Sequence, residues 1–129
     1  TRPRFLPAAR LHACQIDEAL VAEGADLDHC VIQRSVIGVR AAVHQGARVT
    51  NSVVLGADYY EDQFSELPIG IGADAVLDRV IVDKNARIGA GARLVNERNV
   101  QDADGDGYFI RSGIIIVPKN GIVKPGTVV

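Results

Sequence analysis

Aliphatic residues return every five or six positions along this chain. They run Leu11, Ile16, Val21, Leu27, Ile32, Ile37, Val43, Val49 and Leu55, resume at Ile71, Leu77, Val82, Ile88 and Leu94, and return at Val117, Val123 and Val129. A helix repeats its apolar stripe every three to four residues and a half-buried strand every two, so neither produces this series. A period near six fits a short strand followed by a corner. Three such units close a triangular coil, and stacked coils pair strand on strand about 4.8 Å apart. Small or β-branched residues four places on, such as Ala25, Ala41, Ala47 and Ala75, complete the inner face. Gly38, Gly56, Gly72 and Gly89 directly follow anchors, where a corner needs unusual dihedrals. With aromatics at only 5% of the residues, the core must be built from Val, Ile, Leu and Ala. The expected class is all-β, a parallel β-helix of hexapeptide repeats.

Grouping the anchors in threes starts coils at Leu11, Leu27, Val43, Ile71 and Ile88. Cys14 and Cys30 each lie three residues past a first-side anchor and are expected to stack, either as packed thiols or as a bridge. Residues 57–70 and 96–112 are polar and lack the hexad, so each is expected to leave the coil as a loop and return. Their aromatics, Tyr59, Tyr60, Phe64, Tyr108 and Phe109, suit capping of the coil or packing of a partner subunit. Residues 1–8 read as an extended linker, and the β-helix as residues 9–129. The chain opens with Thr-Arg-Pro-Arg rather than Met, which suggests a fragment of a longer protein. A net charge of −2 argues against a nucleic-acid partner. No apolar run has the length of a signal peptide core or a membrane span. Two cysteines make no disulfide framework, so a soluble, reducing, cytoplasmic setting is expected.

No phosphate-binding loop or dinucleotide fingerprint is present, and no catalytic residue is assigned. The run Asp102, Asp104, Asp106 lacks the bidentate Glu of an EF-hand loop, so no metal site is expected there. His12, His29 and His44 do not form a ligand cluster by spacing and read as surface histidines. An acyltransferase with such a fold would need a catalytic His, which keeps that alternative open. The cations say more. Val82 begins the third side of the fourth coil and Val117 that of the fifth, and Lys84 and Lys119 each lie two residues on. The two lysines are therefore expected to be stacked corner neighbours. Like charges so close repel unless an anion or an acidic side chain such as Asp83 lies between them.

The strings GADYYE (56–61), PIGIG (68–72), IVDKNARIG (81–89), DGYFI (106–110), SGIIIV (112–117) and PGTVV (125–129), with PRFLP (3–7) at the start, resemble the C-terminal domain of ADP-glucose pyrophosphorylase, glucose-1-phosphate adenylyltransferase, of the plant and cyanobacterial type. The resemblance implies a left-handed parallel β-helix following an N-terminal catalytic domain that is missing here. It implies an enzyme forming ADP-glucose and pyrophosphate from ATP and glucose 1-phosphate with Mg²⁺, for glycogen or starch synthesis. It also implies a homotetramer under allosteric control by small anions such as 3-phosphoglycerate and phosphate. Lys84 and Lys119 match the family's effector lysines, and Arg4 matches an effector-contacting arginine. This chain departs from the family in two places, with shortened segments after GADYYE and after Asn99-Val100. The fragment itself is expected to need no cofactor and to be inactive. The alternatives are a free-standing hexapeptide acyltransferase and a structural β-helix without a ligand.

Overall fold

A computed structural model of the chain describes residues 8–58 and 68–129. Over these residues the backbone forms short strands of two to four residues, with no helix. Three sheets make the sides of a triangular coil. The first stacks Arg10–His12, Asp26–Asp28, Ala42–Val43, Gly70–Ile71, Arg87–Ile88 and Ile122–Val123. The second stacks Gln15–Asp17, Val31–Gln33, Arg48–Thr50, Val76–Asp78 and Arg93–Leu94. The third stacks Leu20–Val21, Val36–Ile37, Val53–Val54, Val80–Val82 and Ile114–Val117. Neighbours within each of these stacks run parallel, as successive turns of one coil must.

The register follows the hexad phasing. On the first side Leu11 pairs with Leu27, Leu27 with Val43, Val43 with Ile71, Ile71 with Ile88 and Ile88 with Val123. On the second, Ile16, Ile32, Val49, Leu77 and Leu94 form the ladder. The third corrects one expected anchor. Its rungs are Val21, Ile37, Val54, Val82 and Val117, so Val54 and not Leu55 points inward. Val54 is 2% exposed and Leu55 40%. Strand alternation permits only every second residue inside. In the run Val53-Val54-Leu55 the pairing with Ile37 selects the middle one.

These ladders are the core. Leu27, Ile32, Ile37, Ile71, Leu77, Ile88 and Leu94 are all fully enclosed, and each such side chain contributes about 1.5–3 kcal/mol by leaving water. Leu11 belongs to the same ladder but is half exposed, because among the described residues no coil covers the first.

The corners turn through left-handed backbone. Glu18, Arg34, Asn51 and Arg79 occupy successive turns of the second corner with φ between 49° and 57°. Their hydrogen bonds offset this unfavourable geometry. Arg34 Nε donates to Asn51 Oδ1 at 2.8 Å, and Asn51 Nδ2 donates to Asp78 Oδ1 at 2.9 Å. Asp78 also accepts from Thr50 and Arg79. Burial opposes ionisation of Asp78, yet these donors from Asn51, Thr50 and Arg79 hold its pKa below the ordinary carboxylate range.

Segment 96–112 leaves the parallel coil as expected, but it is not an irregular loop. Asp102–Asp104 pairs antiparallel with Phe109–Arg111, which pairs antiparallel with Ile114–Val117, so a hairpin extends the third sheet. Buried Asn96 ties the excursion shut: its Nδ2 donates to Val100 O and Gly113 O, both at 3.0 Å, and its Oδ1 accepts from Val100 N. The third sheet is also distinct on its outer surface. Leu20, Val36, Val53, Ile81, Ile116 and Phe109 are successive outward neighbours, an unbroken apolar stripe.

Candidate functional site

The third corner carries the site. Pairing of Val82 with Val117 puts the corner that follows each of them on adjacent turns. Asn120 N donates to Lys84 O at 3.0 Å, so Lys84 and Lys119 are stacked neighbours, as the phasing requires. Asn85 and Asn120 make the turns possible, with φ of 62° and 61°. Asparagine tolerates this left-handed region better than most residues.

The lysines converge on one carboxylate. Lys84 Nζ lies 3.3 Å from Asp58 Oδ1 and Lys119 Nζ 4.0 Å from Asp58 Oδ2. Asn85, nearly buried, holds the same residue in two ways: Asp58 N donates to its Oδ1 at 2.9 Å, and its Nδ2 donates to Asp58 Oδ2 at 3.1 Å. Hydrogen bonds from Asn85 and Lys84, helped by the fields of Lys84 and Lys119, keep the Asp58 carboxyl below its ordinary pKa. All three charged side chains are about half exposed, so the pairs are screened and individually weak. The geometry is the informative part: two ammonium groups on adjacent coils grip a single anionic group.

Asp83 does not play the neutralising role expected of it. Its Oδ1 accepts from Lys84 N at 2.7 Å, so it braces the turn, and Asp58 is the residue between the cations. Arg40 reaches the same corner one coil earlier, its Nη1 donating to Ala57 O at 3.3 Å. Three-residue spacing after Ile37 matches that of Asn85 after Val82 and of Asn120 after Val117, and would have located Arg40 from the phasing. Arg4, Tyr59, Tyr60 and Phe64 lie outside the described residues.

The other candidate chemistry sorts itself by position. Cys14 and Cys30 stack as phased, with free thiols. In the acidic run, Asp104 pairs with Arg111 at 2.8 Å and Asp106 with Lys124 at 3.4 Å. These pairs are exposed and weak, and they give Asp104 and Asp106 a surface role as the counter-charges of Arg111 and Lys124. Tyr108 packs against the core, while Phe109 is exposed under the Arg111 guanidinium, 5.5 Å from its ring centroid. His12 and His29 lie at the surface as expected, but they do come together, with ring centroids 4.9 Å apart. Among the described residues, no helix is long and apolar enough to cross a membrane.

Set against known families, residues 4–128 match the model of the GLGC left-handed parallel β-helix domain, nearly the full length of the chain.

Proposed function

This chain belongs to the GLGC left-handed parallel β-helix family, the C-terminal domain of ADP-glucose pyrophosphorylase, and we propose that it serves there as the regulatory and assembly domain, binding small anionic effectors at its third corner. The observation that carries this reading is the closure of Lys84 and Lys119 on one carboxylate. Each ammonium is a compact charge suited to phosphate, and Arg4 would add a planar, bidentate donor set. A phosphate-bearing effector such as 3-phosphoglycerate, or phosphate itself, would take the place between the lysines and compete with Asp58.

Adenylyl transfer needs a phosphate-cradling loop and metal-binding carboxylates. In this reading both belong to an N-terminal catalytic domain, as does Mg²⁺, and this chain alone does not form ADP-glucose. Control is then transmitted from the corner to that domain, in a cytoplasmic homotetramer that supplies ADP-glucose for glycogen or starch synthesis. The partly exposed apolar stripe of the third sheet supports assembly, since contiguous apolar surface left open to solvent is what contact faces use.

The test is an effector titration of the full-length enzyme at matched ionic strength. Coupling between effector and active site is typically about 1–3 kcal/mol. Lys84→Ala and Lys119→Ala should each weaken the effector response and leave unactivated turnover intact. Wild-type midpoints and amplitudes in both variants would place the effector elsewhere.

A further inference from the structure

We propose that His12, Asp28 and His29 form a binding site for a divalent transition-metal ion of the zinc class, clipping the first coil to the second. Three features of the coil bring the donors together. His12 and Asp28 are register partners at the end of the first side, so their side chains leave the same surface. His29 follows in left-handed conformation, φ 47°, which returns its ring over His12 in an edge-on arrangement. His29 Nδ1 lies 2.5 Å from Asp28 Oδ1. The donor atoms of all three residues lie within 4.8 Å of one another.

The donor chemistry selects the ion. Two imidazoles and one carboxylate suit Zn²⁺, Ni²⁺ or Cu²⁺, whereas Mg²⁺ and Ca²⁺ favour oxygen alone. Around tetrahedral zinc, with bonds of about 2.0–2.2 Å, donor atoms stand roughly 3.3 Å apart. Small rotations of exposed side chains bring this group to that spacing. His29 and Asp28 are each about half exposed and free to make them. Metal then takes the place of the direct contact between His29 Nδ1 and Asp28 Oδ1. Three protein donors leave a tetrahedral position open to water. Two of the donors, His12 and Asp28, also line a groove of about 550 Å³ together with Arg10, Asp26 and His44. His44 adds a polar wall: its Nε2 is enclosed yet has no hydrogen-bond partner.

The consequence is mechanical. Strands Arg10–His12 and Gln15–Asp17 are exposed at every residue, so the first coil is held mainly by its pairing to the second. A metal bridging His12 to Asp28 and His29 would fasten it.

The experiment uses the chelator-treated 129-residue chain with Co²⁺ as a spectroscopic probe and Zn²⁺ as competitor. One Co²⁺ per chain is expected, with visible d–d bands displaced by Zn²⁺. His12→Ala and His29→Ala should each weaken binding by on the order of 100-fold or more, since even residues that merely orient a ligand cost 10–100-fold. His44→Gln lies outside the donor group and should bind normally. Far-UV circular dichroism of each variant, together with slowed amide exchange over residues 10–21 on adding Zn²⁺ to the parent, separates lost binding from lost folding. Three results would overturn the site: no stoichiometric Co²⁺ uptake, unchanged affinity in both folded histidine variants, or a cobalt–thiolate charge-transfer band that Cys14→Ser removes.

Discussion

The sulfur of Cys14 lies 3.5 Å from that of Cys30, one coil below it, and both thiols are free. Cys30 is almost wholly enclosed. Burial first, and the neighbouring Cys14 second, push the Cys30 thiol up to about 12 from 9.0. In the unfolded chain the same thiol ionises near its ordinary value, so the unfolded state releases a proton that the folded state keeps. The contribution of Cys30 is therefore fully present below pH 9 and is lost as pH rises from about 9 toward 12. Urea midpoints should fall across that window, and Cys30→Ala should flatten the fall. Alkylation of Cys30 at neutral pH should also be slow until denaturant is added, because the thiolate is the reactive form. Rapid labelling of the native chain at Cys30 would contradict this account.

Position along a single ladder should decide the cost of truncation. Leu27 is completely buried between Leu11 and Val43, and Leu27→Ala is expected to cost about 2–5 kcal/mol. Leu11 occupies the equivalent rung of the outermost coil and is 53% exposed. Leu11→Ala should therefore cost well under half as much. Equilibrium urea unfolding of the two variants gives the comparison directly, and equal losses would mean that the first coil is covered in solution.

Two glycines separate backbone strain from crowding. Gly56 and Gly91 both have positive φ, 94° and 72°. A Cβ at Gly91 meets nothing within 4 Å, so Gly91→Ala should cost only the dihedral preference, about 1–2 kcal/mol. At Gly56 the same atom would stand 2.1 Å from Val39 O, a backbone atom with no freedom to move aside. Gly56→Ala should be clearly the more destabilising in thermal melts, and it should disturb the corner that carries Asp58 and Lys84.

Asp58→Asn gives the proposed effector site its sharpest test. The substitution keeps the shape and a hydrogen-bond partner for Asn85 but removes the negative charge between Lys84 and Lys119. If Asp58 competes with an anionic effector, the variant should bind that effector severalfold more tightly, the modest gain that a solvent-screened pair allows. The gain should shrink as ionic strength rises. Weaker binding in the full-length variant would mean that Asp58 organises the site instead of competing for it.

The ladders were legible because a coil repeats. A residue's place in the hexad fixes its side, its depth and its neighbours, and this alone put Cys14 over Cys30 and Lys84 beside Lys119. It failed where two aliphatic choices were adjacent, at Val54 and Leu55, because spacing of five or six admits both. It also failed wherever the partner lies off the repeat. Asp58 follows the last regular strand of its coil and has no phase, so spacing points to Asp83, adjacent in sequence, as the counter-charge. His29 is one position out of step with His12 and His44. Only a left-handed φ, invisible in spacing, turns its ring toward His12. The hairpin of Asp102–Asp104 and Phe109–Arg111 is antiparallel, and a search for parallel hexads reads such a segment as silence.

A triangular coil of equal units has an approximate screw symmetry: a third of a turn and a third of the rise superpose it on itself. A partner meeting so uniform a prism would find three near-equivalent faces and several near-equivalent heights. The hairpin removes that degeneracy. Among the described residues it widens one face, at one height, and Asn96 locks it there by bonding both Val100 and Gly113. The apolar stripe runs along that same face and ends on the hairpin's Phe109. The molecule thereby acquires a unique orientation and an origin along its axis, which a subunit needs if identical neighbours are to meet it in a single pose.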